Sequence, residues 1–189
     1  MLVVVVTILS VATSALVLWR TYYRIRTDVP TDPPGQTSRV LASPFAFLTM
    51  AVRDDASHAY EYAAQCVGNL GSLDVPLPRA AVNVELVLLI LVAATSRLGL
   101  TSLQRIAAAI AVLITVLLVS LAQYIIWTPL GAGSIEGIQG RYFLPVALTA
   151  ATVLSGALPW RWRKDFVVAA VVAVAVNAIA IAALIRHYW

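Results

Sequence analysis

Five long apolar runs divide the chain, and most of its polar residues fall between them. The runs are about 2–19, 80–95, 106–127, 142–160 and 166–185. A helix that crosses a bilayer needs about 17–25 mostly apolar residues, so each run predicts a transmembrane helix. The second run is the shortest and carries Asn83 and Glu85 near its start. The Val- and Ala-rich last run does not predict strand, because in lipid a helix is the simplest way to pair every backbone N–H and C=O. Its small residues, among them Ala169, Ala170, Ala173 and Ala180, suit close helix packing, and Asn177 suits a bond between helices. The first run lacks a basic leader and an A-x-A cleavage site, and Arg20, Arg24 and Arg26 follow it. It therefore reads as a retained helix rather than a cleaved signal.

Two polar stretches interrupt this pattern. The longer, 20–79, starts with the Pro-rich Asp28–Gly35, which predicts no regular helix. Asp54, Ser57, His58, Glu61 and Gln65 then recur at spacings of three and four, on one helical face, with Ala59, Tyr60, Ala63 and Val67 on the rest. This pattern predicts an interfacial or re-entrant helix. Gly68–Pro78 reads as a turn-rich approach to the second run. The shorter stretch, 128–141, holds four of the nine glycines together with Glu136, Gln139 and Arg141. The expected fold is all-α: one membrane domain over 1–189, a polytopic bundle of about five transmembrane helices plus one interfacial or re-entrant helix.

Composition strengthens the membrane reading. Hydrophobic residues are 61% and charged residues 12% of the chain, with mean hydropathy +0.88. Soluble domains average about 45–50% and about 25%. The net charge of +4 is spread along the chain, largely as arginines at the ends of apolar runs, so no nucleic-acid face is expected. A lone Cys66 excludes an intrachain disulfide and a cysteine-based metal site. Arg97 and Arg105, and Arg161, Arg163 and Lys164, occupy two short loops and favour that side as cytoplasmic. The N-terminus is then inside and the C-terminus outside, and 20–79 and 128–141 both face outward. Arg20, Arg24 and Arg26 pull the other way.

Three places offer candidate chemistry. Asp54, His58 and Glu61 can converge on one helix face and run acid–base chemistry or hold a divalent metal. The bland alternative is the solvated face of a surface helix, and nothing in the spacing supports a metal or any other cofactor. Glu85, inside an apolar run, is either a functional buried carboxylate or a headgroup-depth partner of Arg79 or of a neighbouring helix. In the glycine-rich loop, backbone N–H groups can turn toward an anion and Arg141 offers a planar fork to phosphate. Arg141 also precedes the fourth run, so an anion there would meet a helix N-terminus. Tyr142, Phe143 and Trp127 add aromatic surface suited to a sugar or a lipid headgroup. Trp, Tyr and Arg are equally the ordinary anchors of a membrane boundary.

Gly137-Ile-Gln-Gly-Arg-Tyr-Phe-Leu-Pro145, preceded by Trp127-Thr-Pro, resembles a hallmark of the bacterial membrane protein family called domain of unknown function 2142. Asn69–Pro78, with its G-x-L-D-x-x-L-P pattern, resembles the family's other recurring element, in the same order and separation. The resemblance covers most of the chain but only the carboxyl-terminal half of a typical member. It implies a likeness to GT-C glycosyltransferases, which take sugar from a polyprenyl-phosphate donor outside the cytoplasmic membrane, often for cell-surface polysaccharide. On that likeness Glu136, Gln139, Arg141 and Tyr142 would contact donor phosphate or acceptor sugar, with Asp74 and the Asp54, His58 and Glu61 face nearby. The acidic catalytic residue of such enzymes lies in the amino-terminal half, so no catalytic residue is assigned and the chain reads as a truncated or split member. The partners implied are the lipid bilayer, a polyprenyl-phosphate sugar and another membrane subunit. The competing functions are a non-catalytic subunit that stabilises a partner and, more weakly, a small transporter.

Overall fold

The structure is a computed structural model that describes residues 31–70, 75–158 and 166–189. The expected first helix, the arginine cluster after it, Asp74 and the basic loop 161–164 lie outside the described residues.

The first described helix, α1 (Pro33–Ala42), begins inside the Pro-rich segment that predicts no helix. Its two prolines occupy the first turn, where a missing N–H costs nothing because the helix has no acceptor for it. Asp32 caps the turn by accepting from Gly35 N–H at 3.1 Å. A single long helix, α2 (Pro44–Gly68), follows and includes all five polar positions. It runs into a short antiparallel ladder, β1 (Asn69–Leu70) against β2 (Val75–Pro76), with Asn69 opposite Pro76. The described ends of the turn-rich approach therefore pair as short strands.

Helix α3 (Arg79–Thr95) matches the second apolar run. Helix α4 (Ser102–Ile126) covers the third and starts in a capping box between Thr101 and Gln104. The fourth run forms a 3-10 turn (Gly140–Phe143) and then α5 (Leu144–Leu154), which stops well short of 160. The physical reason is Ser155 and Gly156: Ser155 leaves helical geometry and Gly156 takes φ +74, a left-handed conformation suited to glycine. Helix α6 (Phe166–Tyr188) covers the fifth run.

Two described helices are long and apolar enough to cross a membrane, Ser102–Ile126 and the Val171–Tyr188 part of α6. Only 22% and 6% of their apolar windows are buried. Leu103, Ile106, Leu113 and Ile181 are exposed, as expected of side chains that meet lipid rather than water. The described residues are thus predominantly helical, with two candidate membrane-spanning helices. Asn177 donates to the Ala173 carbonyl of its own helix at 2.8 Å, so the structure gives it a local bond rather than one between helices.

The ends of the helices sort into two groups. Leu158 N–H donates to Ala94 O at 3.1 Å, and Arg105 reaches the Val153 and Ser155 carbonyls at the end of α5. The buried Ser155 hydroxyl donates to Ser96 O and accepts from Leu98 N–H, both at 3.1 Å. Segment 96–101 and the end of α5 therefore form one junction. At the opposite end of α4, the glycine-rich loop folds back onto α2. The buried cluster there is Phe47, Ala51, Tyr124, Ile135 and Ile138, with the Phe47 and Tyr124 rings 5.4 Å apart.

A candidate ligand surface where the glycine-rich loop meets α2

The polar stripe of α2 is turned inward at its two ends, Asp54 and Gln65, while Ser57 and Glu61 are exposed. Asp54 is buried, and its Oδ2 accepts from the backbone N–H of Ile135 at 3.2 Å. Three helical turns later, Gln65 Oε1 accepts from Gly140 N–H at 2.7 Å, and the Cys66 thiol donates to Gly140 O. Spacing of three and four puts Asp54, Gln65 and the intervening His58 on this side of the helix. The loop between Ile135 and Gly140 is consequently clipped to α2 at both ends. Its closeness demands glycine at position 140: a Cβ there would collide with the Tyr62 carbonyl and lie 2.6 Å from Gln65 Cβ. At Gly137, φ is +80 and a Cβ would overlap the Trp127 ring.

A second set of bonds holds the start of the loop. Thr128 is fully buried; its hydroxyl donates to Gln123 O at 3.2 Å and accepts from Glu136 N–H at 3.0 Å. Gln36 of α1, also fully buried, donates to Thr128 O and Pro129 O at 3.2 and 3.0 Å. The long-range anchors Gln36, Asp55, Tyr62 and Cys66 are not conspicuous in the sequence, since each is an ordinary polar or aromatic residue in a helical pattern.

The candidate residues separate once placed. Asp54 and His58 stay together, with Nδ1 3.7 Å from Asp54 Oδ1 and 2.9 Å from the Asp54 carbonyl. Glu61 is exposed and accepts from Gln65 Nε2 at 3.3 Å, away from Asp54. Among the described residues no three His, Cys, Asp or Glu side chains are arranged to hold a metal ion. The stripe is neither a convergent triad nor simply a solvated face: part of it holds the loop. Glu136 and Arg141 are exposed, Tyr142 is half-buried, and the half-buried Gln139 has a buried Oε1 without a hydrogen-bond partner. Phe143 stacks near Tyr62, ring centroids 5.6 Å apart. Glu85 is half-buried on α3 and forms no ion pair with Arg79, whereas neighbouring Asn83 accepts from Tyr60 OH at 2.7 Å.

Electrostatics follow from this packing. Asp55 sits beside Asp54 and accepts from the buried Ser120 hydroxyl through both oxygens, at 3.0 and 2.8 Å. Burial pushes its carboxyl above the ordinary value, against the lowering effect of the Ser120 bond. The Tyr62 phenol is pushed up to about 12, by burial first and then by the negative charges of Asp54, Asp55 and Glu61. Burial alone raises the Cys66 thiol, which fits a packed donor rather than a reactive nucleophile.

A groove of about 640 Å³ runs beside the clipped loop, lined by Thr49, Met50, Arg53, Asp54, Ser57 and Ser134 among others. A second depression of about 420 Å³ shares Ala46 and Met50 with it and reaches Arg39, Phe47 and Tyr124. Glu136, Gln139, Arg141 and Tyr142 line neither.

A family model described as "Predicted membrane protein (DUF2142)" matches residues 1–150. No curated protein and no solved structure matches the chain.

Proposed function

The chain belongs to the DUF2142 family of predicted membrane proteins, and on that premise we propose that it serves a lipid-linked-sugar-dependent glycosyl transfer outside the cytoplasmic membrane, as the part of the machinery that holds the sugar-phosphate end of a substrate. The observation that carries this reading is the clipping of the glycine-rich loop to α2 at Asp54 and Gln65, with Glu136 and Arg141 left exposed at its edge. Exposed Arg141 is followed in the chain by half-buried Tyr142 and by Phe143, which packs against Tyr62, so one short stretch offers groups suited to phosphate and to sugar. In this reading Arg141 contacts phosphate, and Glu136, Gln139 and Tyr142 contact sugar hydroxyls. Asp74 lies outside the described residues and keeps only its place in the sequence. The protein is multi-pass, with the loop and α2 on the outer side.

Replacing Arg141 with Ala in the natural genetic context tests this directly. Surface glycan is expected to fall while the protein level stays normal. Unchanged glycan at normal protein level removes the loop from the mechanism.

A second reading is a non-catalytic subunit that stabilises a membrane partner. It is favoured by the internal use of the loop's neighbours: Asp54, Gln65 and Thr128 are all engaged in holding backbone N–H groups. Co-purification of a second membrane protein in mild detergent supports it. A monomer that transfers sugar unaided would sink it.

A further inference from the structure

We propose that the groove between α1, α2 and loop residues 131–134 binds the phosphate headgroup of a bilayer lipid, with Arg39 and Arg53 as the phosphate ligands and the outward face of α2 as the seat of its acyl chain. Three observations converge. First, each of the two adjoining depressions carries an arginine: Arg53 lines the larger with Ser57 and Ser134, and Arg39 lines the smaller, the two sharing Ala46 and Met50. Neither guanidinium has a carboxylate within ion-pair distance among the described residues. The Arg39 Nη1 lies over Gly131, 2.6 Å from where a Cβ would stand, so the absence of a side chain there is what admits the guanidinium to the loop. The one acid in the lining, Asp54, is turned to Ile135 N–H and the imidazole.

Second, α2 presents an apolar stripe outward in addition to the apolar residues Phe47 and Ala51 that it buries. Phe45 is 81% exposed and Val52 60%, with Leu48 and Tyr60 exposed on the same side, while buried Asp54 and half-buried Gln65 face the protein. Residues 45, 48 and 52 follow the three-and-four spacing of a single helical stripe. Leu41 of α1, 76% exposed, lies one spacing earlier in the chain.

Third, charge and apolar surface adjoin. Thr49 and Arg53 border the apolar stripe and also line the groove. An anionic head held by planar forks, continuous with an exposed apolar helix face, is complementary to an amphiphile and not to a free anion. The proposal does not use Arg141 and stands apart from the sugar-transfer reading.

The test uses the full chain, purified in a non-ionic detergent, and three probes: short-chain phosphatidic acid, short-chain phosphatidylcholine and inorganic phosphate. Phosphatidic acid is expected to bind at least about tenfold more tightly than either of the others, since each loses one half of the complementarity. Arg39→Ala and Arg53→Ala are each expected to weaken it about tenfold, the typical effect of removing one charge-assisted bond. Val52→Ser is expected to weaken phosphatidic acid but not phosphate. Arg141→Ala is expected to leave binding unchanged, and its glycan phenotype reports separately on the sugar-transfer reading. Full binding by the Arg39→Ala/Arg53→Ala double variant, with thermal stability intact, would overturn the proposal. So would phosphate binding as tightly as the lipid, or no preference between the two lipids.

Discussion

Asp54 and Ile135, 81 residues apart, are joined by a buried hydrogen bond of 3.2 Å from the Ile135 backbone N–H to the Asp54 carboxylate. A buried N–H left without an acceptor costs about 1–3 kcal/mol. Asp54→Ala is therefore expected to destabilise the protein by about that amount and to speed amide exchange at Ile135 and its loop neighbours. Asp54→Asn keeps a carbonyl oxygen as acceptor and should recover most of the protection. Hydrogen exchange by mass spectrometry in detergent separates the two variants; equal protection of the loop in wild type and Asp54→Ala would show that the bond does not hold it.

Gly140 makes a different demand at the other clip. A methyl group there has no space between the Tyr62 carbonyl and Gln65 Cβ, and both neighbours belong to a packed helix. Gly140→Ala is expected to cost about 1–3 kcal/mol, the usual range for overpacking, and to lower the thermal midpoint. Gly133→Ala, where a Cβ meets nothing within 4 Å, is the control and should leave the midpoint nearly unchanged.

The contrast between these glycines shows where sequence reading stops. That residues 131–140 form a permissive loop is plain from four glycines in the window. Which of them is required for close approach depends on where α2 lies, and that is a long-range contact with no local signal. The apolar runs behind α3, α4 and α6 were legible because lipid imposes helix on any long apolar segment. The fourth run misled for the same reason: apolar content extends to 160, but Gly156 turns the backbone out of the helix after Leu154. Asp28–Gly35 misled in the opposite direction, since two prolines fit the first turn of a helix that Asp32 caps. The polar stripe on α2 was found correctly as a stripe, yet its direction could not be read. Periodicity says which residues share a face, not whether water, lipid or another loop covers it.

Arg105 supplies a further prediction at the opposite junction. Its guanidinium reaches the carbonyls of Val153 and Ser155, orphan acceptors at the C-terminal end of α5. In the sequence Arg105 counts as one positive charge near a helix end; in the structure it also ties α4 to α5. Arg105→Ala is expected to destabilise by about 1.5–3 kcal/mol, the range for hydrogen bonds from a charged group. Arg105→Lys should restore part of this, because both bonds come from the single Nη1, which an ammonium can replace only from a shorter side chain. If both variants melt together with the wild type, the tie carries no stability.

Asp55 gives the dependence on pH. Its pKa in the folded protein is raised above its ordinary value of 3.8 because burial disfavours the charged carboxylate more than the Ser120 bond favours it. As pH rises from about that value, the unfolded chain releases its proton first, so the folded state binds more protons over the interval between the two pKa values. Stability from this group therefore falls as pH rises through that interval, and it is greatest on the acid side, where Asp55 is protonated in both states. Asp55→Asn removes the titration and retains an acceptor for the Ser120 hydroxyl, whose single proton has Val116 O at 3.1 Å as its alternative acceptor. The variant is expected to match or exceed wild-type thermal stability at neutral pH, with any advantage shrinking as the pH is lowered toward 3.8. Thermal midpoints of the two proteins measured across that range decide the point. A wild type that becomes relatively more stable than Asp55→Asn as pH rises would mean that the Ser120 bond, and not burial, dominates at this site.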